Sequence, residues 1–436
     1  MNNELLNLLP KCVFFVTPEI SQALGIIELV PQVKIITGQT HPLIPYLREN
    51  GNHIFCLEET INRENFNWKN SASILACEES LSYIKEKSQG KQPAVACFKP
   101  SPKLDLICKG NGFLQLSGQP SLNRLFENKL LFNDMWSGKV PTVPAIIDYS
   151  NNLLTNNLAL GWLDQEGVVI QHERGWAGQG TIICKNRDEL KSTLQNENNN
   201  KIKVSKYING STYTVNFVIG KNRFWIGEIA KQINSPTPDF GPSESTTCGR
   251  KWPSGLSNKV KLDINNLVTE VCYVMQTKGY RGFAGVDLII DDEDRSIYLL
   301  EVNPRLTASE SFLTRLELNN NLTPLSLLHY LSLLDIDSEY ENSVEYAFDS
   351  ICGTQLLVRN TRINGAKVCK ALIPGKYIWL EDELIFSENG YVKLSTDFVI
   401  WSAGNKEISF NEELIKIETI GDYDFKSQKL LNEFIK

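Results

Sequence analysis

Residues 282–305 read GFAGVDLIIDDEDRSIYLLEVNPR, and this stretch decides the fold. Residues 286–290 and 297–302 are apolar and β-branched, and the acidic residues 291–295 between them read as a turn, so the stretch predicts a β-hairpin. Pairing symmetric about Asp294 sets Asp287 opposite Glu301, and Asn303 follows on the same face because side chains repeat every second residue. Two carboxylates and an amide oxygen then converge at one end. That donor set suits a hard divalent cation that keeps some of its ligands for phosphates, and Arg305 adds a fixed positive charge nearby. A purely structural hairpin gives no reason for Asp287 to interrupt an otherwise apolar strand. The site expects a polyphosphate.

The 436 residues are enough for about three domains with substantial cores. With 44 basic and 51 acidic residues the net charge is −7, which argues against broad electrostatic binding to nucleic acid or to anionic membranes. The expected partners are small molecules. Ten cysteines contain no C-x-x-C pair, and the four histidines lack metal-ligand spacing, so the thiols read as reduced residues of a cytoplasmic protein. The first twenty residues lack the basic region and long apolar run of a secretory signal. No segment reaches ~18 continuous apolar residues, so no membrane span is expected.

Residues 1–118 alternate short apolar runs (12–16, 33–37, 54–57, 95–98 and 113–116) with helical spacing, which predicts an α/β layer with a parallel sheet. Gly38-Gln39-Thr40 reads as a structural turn, since a full dinucleotide fingerprint is missing. The spacing predicts a helix over 122–138, with Lys129 a solvated charge on it, then a strand over 145–148. Residues 167–185, GVVIQHERGWAGQGTIICK, are two strands around a loop carrying Gly175, Gly178 and Gly180. Glycine lets backbone N–H groups approach a phosphate closely, and the return as a strand excludes both a P-loop and a dinucleotide fingerprint. The strand end at Lys206, Tyr207 and Ile208, before the turn at Gly210, offers backbone donors and acceptors to an adenine edge. Residues 234–258 form a long Pro/Gly/Ser-rich loop with Arg250 and Lys251 as anion-binding candidates and Cys248 as an inert thiol. A helix is expected over 260–277 and a helical region over 310–334. Short strands dominate from residue 346 onward (354–358, 368–372, 377–380, 384–386 and 398–401), which predicts a small β-rich, partly barrel-like module packed on the body.

The glycine hairpin, the strand end at 206–210 and the hairpin with Glu301-Val302-Asn303-Pro304-Arg305 occur in the order found in ATP-grasp ligases, and the chain resembles that family. The resemblance implies a multidomain α/β and α+β protein. It has a pre-ATP-grasp domain over 1–118, an ATP-grasp domain over 119–335, and a β-rich module over 336–436 like the C-terminal region of biotin carboxylases. It also implies that Asp287, Glu301 and Asn303 hold Mg²⁺ or Mn²⁺ bridging the phosphates of ATP, that Arg305 contacts the reacting phosphate, and that Gly175, Gly178 and Gly180 cover the triphosphate. Lys206, Tyr207 and Ile208 then line the adenine, and Lys129 reaches the phosphates. The family usually has a lysine where this chain has Gln171. That departure, with the wording of residues 279–287, GYRGFAGVD, resembles the branch that builds small peptides and amino-acid conjugates.

The chemistry so implied is ATP-dependent joining of a carboxylate to an amine through an acyl phosphate, with ADP and phosphate released and no side-chain nucleophile required. Arg250 and Lys251, on a loop able to close, are the candidates for holding the acid. The alternatives are a carboxylase-like enzyme that activates bicarbonate, an enzyme that loads an amino acid onto a carrier-protein thiol, and a non-catalytic nucleotide-binding protein. A homodimer stays open.

Overall fold

The computed structural model describes residues 3–61, 66, 68, 70–173, 175, 180–195, 197–336, 348–367, 372–381, 383–389, 394–404, 407–421 and 423. Five strands, Val13–Thr17 (β1), Lys34–Thr37 (β2), His53–Cys56 (β3), Ala94–Cys97 (β4) and Leu114–Leu116 (β5), make the expected parallel sheet in the order β3-β2-β1-β4-β5. The sequence of β1, VFFVT, lacks polar alternation because both of its faces are covered. Val13 and Phe15 enter one core cluster, while Phe14 and Val16 enter another.

A second, four-stranded sheet follows, built from Ala145–Tyr149 (β6), Val168–Gln171 (β7), Thr181–Cys184 (β8) and Lys201–Lys206 (β9) in the order β6-β9-β7-β8. The remaining strands are Gly210–Ile219 (β10), Phe224–Asn234 (β11), Thr247–Trp252 (β12), Gly282–Asp291 (β13), Ile297–Asn303 (β14), Gly353–Arg359 (β15), Ala366–Lys367 (β16), Gly375–Leu380 (β17), Glu383–Asn389 (β18), Phe398–Ser402 (β19), Glu407–Ile408 (β20) and Glu413–Thr419 (β21). Apart from the separate pair β16 and β20, these join one ten-stranded sheet in the order β14-β13-β10-β11-β12-β15-β21-β19-β17-β18.

One face of the hairpin packs against the helix Asn258–Thr277. Val286, Leu288 and Ile290 meet Ile264, Val268 and Val271 there in a common apolar cluster. Asp287 and Ile289 therefore look to the other side, where Ile289 joins Val143 and Ile208 in a small cluster of its own.

Three expectations need correction. The helix expected over 122–138 is two helices, Pro120–Glu127 and Phe132–Trp136, with Asn128 extended between them, so Lys129 lies in the break. The helical region expected over 310–334 is present as two helices, Glu310–Asn319 and Leu325–Leu333, with Pro324 at the second N-cap. Residues 234–258 contain β12, a central strand. The β-rich tail also does more than pack on the body, because β12 and β15 are antiparallel neighbours and the tail's strands extend the central sheet. At that seam a Cβ on Gly249 would fall on the Gln355 carbonyl, so glycine permits the close approach. Of the strand expected over 368–372, residues 368–371 lie outside the described residues.

Candidate active site

Asp287 and Glu301 are direct partners across β13 and β14. A bulge sits beside them: Leu288 already pairs with Leu299, so Leu300 is the extra residue and the ladder bends at the carboxylates. Asn303 Nδ2 donates to Asp287 Oδ2 at 3.2 Å, which brings the three expected oxygen-bearing side chains together. Asp287 also accepts from Thr214 Oγ1 at 2.7 Å and from Gln232 Nε2 at 2.6 Å. Burial and then the charge of Glu301 push its carboxyl above the ordinary range, against the lowering pull of Arg250. Two crowded carboxylates of which one resists ionisation, with an amide oxygen beside them, form a donor set that fits a divalent cation. No group of three His, Cys, Asp or Glu that could hold a metal is present among the described residues, so the amide of Asn303 is needed to complete the set.

Arg305 is held from three sides: Nε donates to Glu127 Oε1 at 2.9 Å, one terminal nitrogen to Asn303 Oδ1 at 2.9 Å, and the other to the Leu306 carbonyl at 3.1 Å. Burial opposes the charged form of Glu127, yet Arg305 and Lys99 outweigh it and hold that carboxyl below its usual range. Lys129 is buried, with Nζ 3.0 Å from Glu301, and is no solvated helix charge. The break in the helix turns it inward, where its N–H donates to the Glu173 carbonyl at 3.1 Å.

Of the glycine loop, Gly175 and Gly180 are described and Gly178 is not. Gly180 has φ +81°, a conformation that favours glycine, and its carbonyl accepts from His172 N–H at 3.1 Å. Gln171 donates to Thr181 Oγ1 at 3.3 Å. The strand end at 206–208 is anchored by Lys206 N–H donating to the Pro144 carbonyl and Tyr207 N–H to the Gly167 carbonyl, each at 3.0 Å. Ile208 is buried beside Val143 and Ile289.

The largest departure concerns Arg250 and Lys251. They lie on a paired strand, so they cannot close over a substrate as a loop, and alternation sends them to opposite faces. Lys251, opposite Lys231 and Thr354, is turned away from the row that holds Arg250. Arg250 is buried, opposite Gln232 on one side and Gln355 on the other, and burial pulls its pKa down. A polar row therefore crosses the sheet: Glu301, Asp287, Thr214, Gln232, Arg250, Gln355, Glu418. Arg250 Nε and Gln355 Oε1 are both buried without a hydrogen-bond partner among the described residues. Gln355 and Glu418 also line a pocket with Ser21, Gln22, Thr307 and Lys416. Sequence reading missed Thr214, Gln232 and Gln355, although each is a polar residue within an apolar strand, the same signal that marked Asp287. Cys248 is packed as expected, its Sγ donating to the Phe240 carbonyl at 3.3 Å, and burial pushes its thiol up to about 11.

Residues 126–309 match the family model of the ATP-grasp domain. A carbamoyl phosphate synthase arginine-specific large chain of Halalkalibacterium halodurans is 22% identical over 191 residues, 43% of this chain and 17% of that protein. The chain thus spans less than a fifth of that curated relative. Among solved structures, the biotin carboxylase domain dimer of Hydrogenobacter thermophilus 2-oxoglutarate carboxylase, in complex with MgADP, ADP and bicarbonate, superposes with a TM-score of 0.58 at 14% identity. That match covers 95% of this chain and 86% of the other. A carboxyaminoimidazole ribonucleotide synthase from Aspergillus clavatus, complexed with ATP, gives 0.57 at 11% identity over 94% of each chain. Such identities establish the fold alone. Among the described residues no helix is long and apolar enough to cross a membrane.

Proposed function

We propose that the protein is an ATP- and Mg²⁺-dependent ligase that joins a carboxylate to an amine, with 1–118, 119–335 and 336–436 as its three parts. The observation that carries this reading is the convergence of Asp287, Glu301, Asn303, Arg305 and Lys129 at one end of the hairpin. Asp287, Glu301 and Asn303 would hold the metal, which when bound supplies positive charge to the phosphates. The cluster of Val143, Ile208 and Ile289 supports a base-binding slot on the same side of the hairpin, with the backbone of residues 206–208 at the adenine edge and the loop of Gly175, Gly178 and Gly180 over the phosphates. Arg305, fixed by Glu127, presents its charge to the phosphoryl group in transfer.

A carboxylate is a poor acyl donor. Its oxygen attacks the terminal phosphorus of ATP, ADP leaves, and the amine then displaces phosphate from the acyl phosphate. Positioning and charge do most of this work. The finer reading, an amino acid or small peptide as a substrate, rests on the resemblance of residues 279–287. Incubation with ATP and a panel of amino acids, carboxylic acids and bicarbonate, with chromatography of the nucleotide and mass spectrometry of the product, tests both levels. ADP and phosphate are the expected products. AMP and pyrophosphate as the main products would overturn the acyl-phosphate route.

The acid anchor is Arg250, whose buried Nε lacks a partner among the described residues one strand beyond Gln232, itself bonded to Asp287. In Arg250→Met the KM for the acid is expected to rise about 30-fold, through loss of a charge-assisted pair of ~2 kcal/mol, with the KM for ATP nearly unchanged. Equal changes in both constants would remove Arg250 from acid binding.

A further inference from the structure

Lys203 sits in β9 opposite Ile147 of β6 on one side and Gln171 of β7 on the other. Its side chain is buried, with Nζ 4.1 Å from the centroid of the Phe132 ring, and it makes no ion pair among the described residues. Burial and then the charge of Lys129 lower its pKa to about 8, against the raising pull of Glu301. Glu301 is already paired with Lys129. A desolvated cation with only a ring face for company is unfavourable, and a second cation beside it makes matters worse. An anion arriving from outside relieves both.

Position identifies the anion. β7 runs directly into the glycine loop, and Lys129 and Glu301 mark the ligand end of the hairpin, whereas Arg250 lies on the far side of Asp287 across two further strands. Gln171 spends its amide on Thr181 and brings no charge. We propose that Lys203 is a phosphate-binding residue of the nucleotide site, supplying from β9 the cation that its cross-strand partner Gln171 does not supply. The proposal rests on the ATP-binding reading above and adds to it a residue whose sequence context, KIKVSK, marks it only as strand polarity.

Calorimetric titration of the purified full chain with ATP, ADP and adenosine, each with Mg²⁺, tests it. In Lys203→Gln the Kd for ATP is expected to rise tenfold or more, a loss of about 1.4 kcal/mol per decade, with a smaller rise for ADP and under twofold for adenosine. The swap Gln171→Lys/Lys203→Gln is expected to recover most of the ATP affinity, because paired positions present their side chains to the same space. The melting temperature of nucleotide-free Lys203→Gln is expected to hold or rise, since a desolvated charge has been removed. If Lys203→Gln binds ATP as the wild type does while Glu301→Ala has lost binding, the proposal is overturned and the ligase reading stands. Equal weakening of all three ligands with a lower melting temperature also overturns it, by making Lys203 a structural residue. A wild-type protein that binds no ATP removes both.

Discussion

Replacing Glu301 by alanine is expected to reduce ATP turnover by about 100-fold or more while leaving the protein folded. The carboxylate sits directly opposite Asp287 and 3.0 Å from Lys129, so its removal takes away one of the two acidic donors and the partner of a buried lysine. The effects on stability oppose one another. Lys129 loses its counter-charge, whereas Asp287 is freed from the repulsion that, with burial, raises its carboxyl, so the net change should stay near 1 kcal/mol. Glu301→Gln, which keeps the shape and an acceptor for Lys129, should be as inactive as the alanine variant. Steady-state ADP release beside a thermal melt decides the matter. A folded Glu301→Ala enzyme with undiminished turnover would end the assignment of the hairpin as metal site.

Arg315→Met is expected to destabilise the fold by about 3–5 kcal/mol without touching the nucleotide site. Arg315 is fully buried in the helix Glu310–Asn319, donates to Glu28 at 2.8 Å, and is also paired with Glu418 of β21. It ties the N-terminal α/β layer to the far end of the polar row. Methionine matches much of its volume but strands the buried Glu418 carboxylate, and stranded charge is the costly part. The double variant Arg315→Met/Glu418→Gln should recover most of the loss, because the remaining partner is then neutral. Urea denaturation midpoints give the comparison. An unchanged midpoint in Arg315→Met would show that the ion pairs hold nothing together.

What the sequence disclosed follows from what local pattern encodes. The strands of the parallel sheet and the pairing of Asp287 with Glu301 were legible because apolar runs and turn residues specify them over short distances. β12 was not legible, since Pro, Gly and Ser surround TCGRKW and its second partner, β15, begins only at Gly353. Lys129 reads from its own context as a solvated charge and Lys203 drew no reading at all, for one physical reason. A lysine code letter reads as solvent, and only the tertiary packing of Glu301 and Phe132 around them brings them inside. The helical region 310–334 was legible from its apolar periodicity, and Pro324 marks where its second helix begins.

Among the described residues the ten-stranded sheet ends at β14, which Thr142 bridges at Leu299, and at β18. The segment that matches the family domain ends at residue 309, upstream of β15 and of the helix bearing Arg315. Excised at that point, it would exchange the border at β18 for one along β12, with bare amide and carbonyl groups ready to recruit another chain. Arg250 would then face water in place of Gln355. The matched segment is therefore not a portable unit: the floor on which substrates would rest is a joint possession of both halves of the polypeptide, and neither half can be transplanted or trimmed without remaking it.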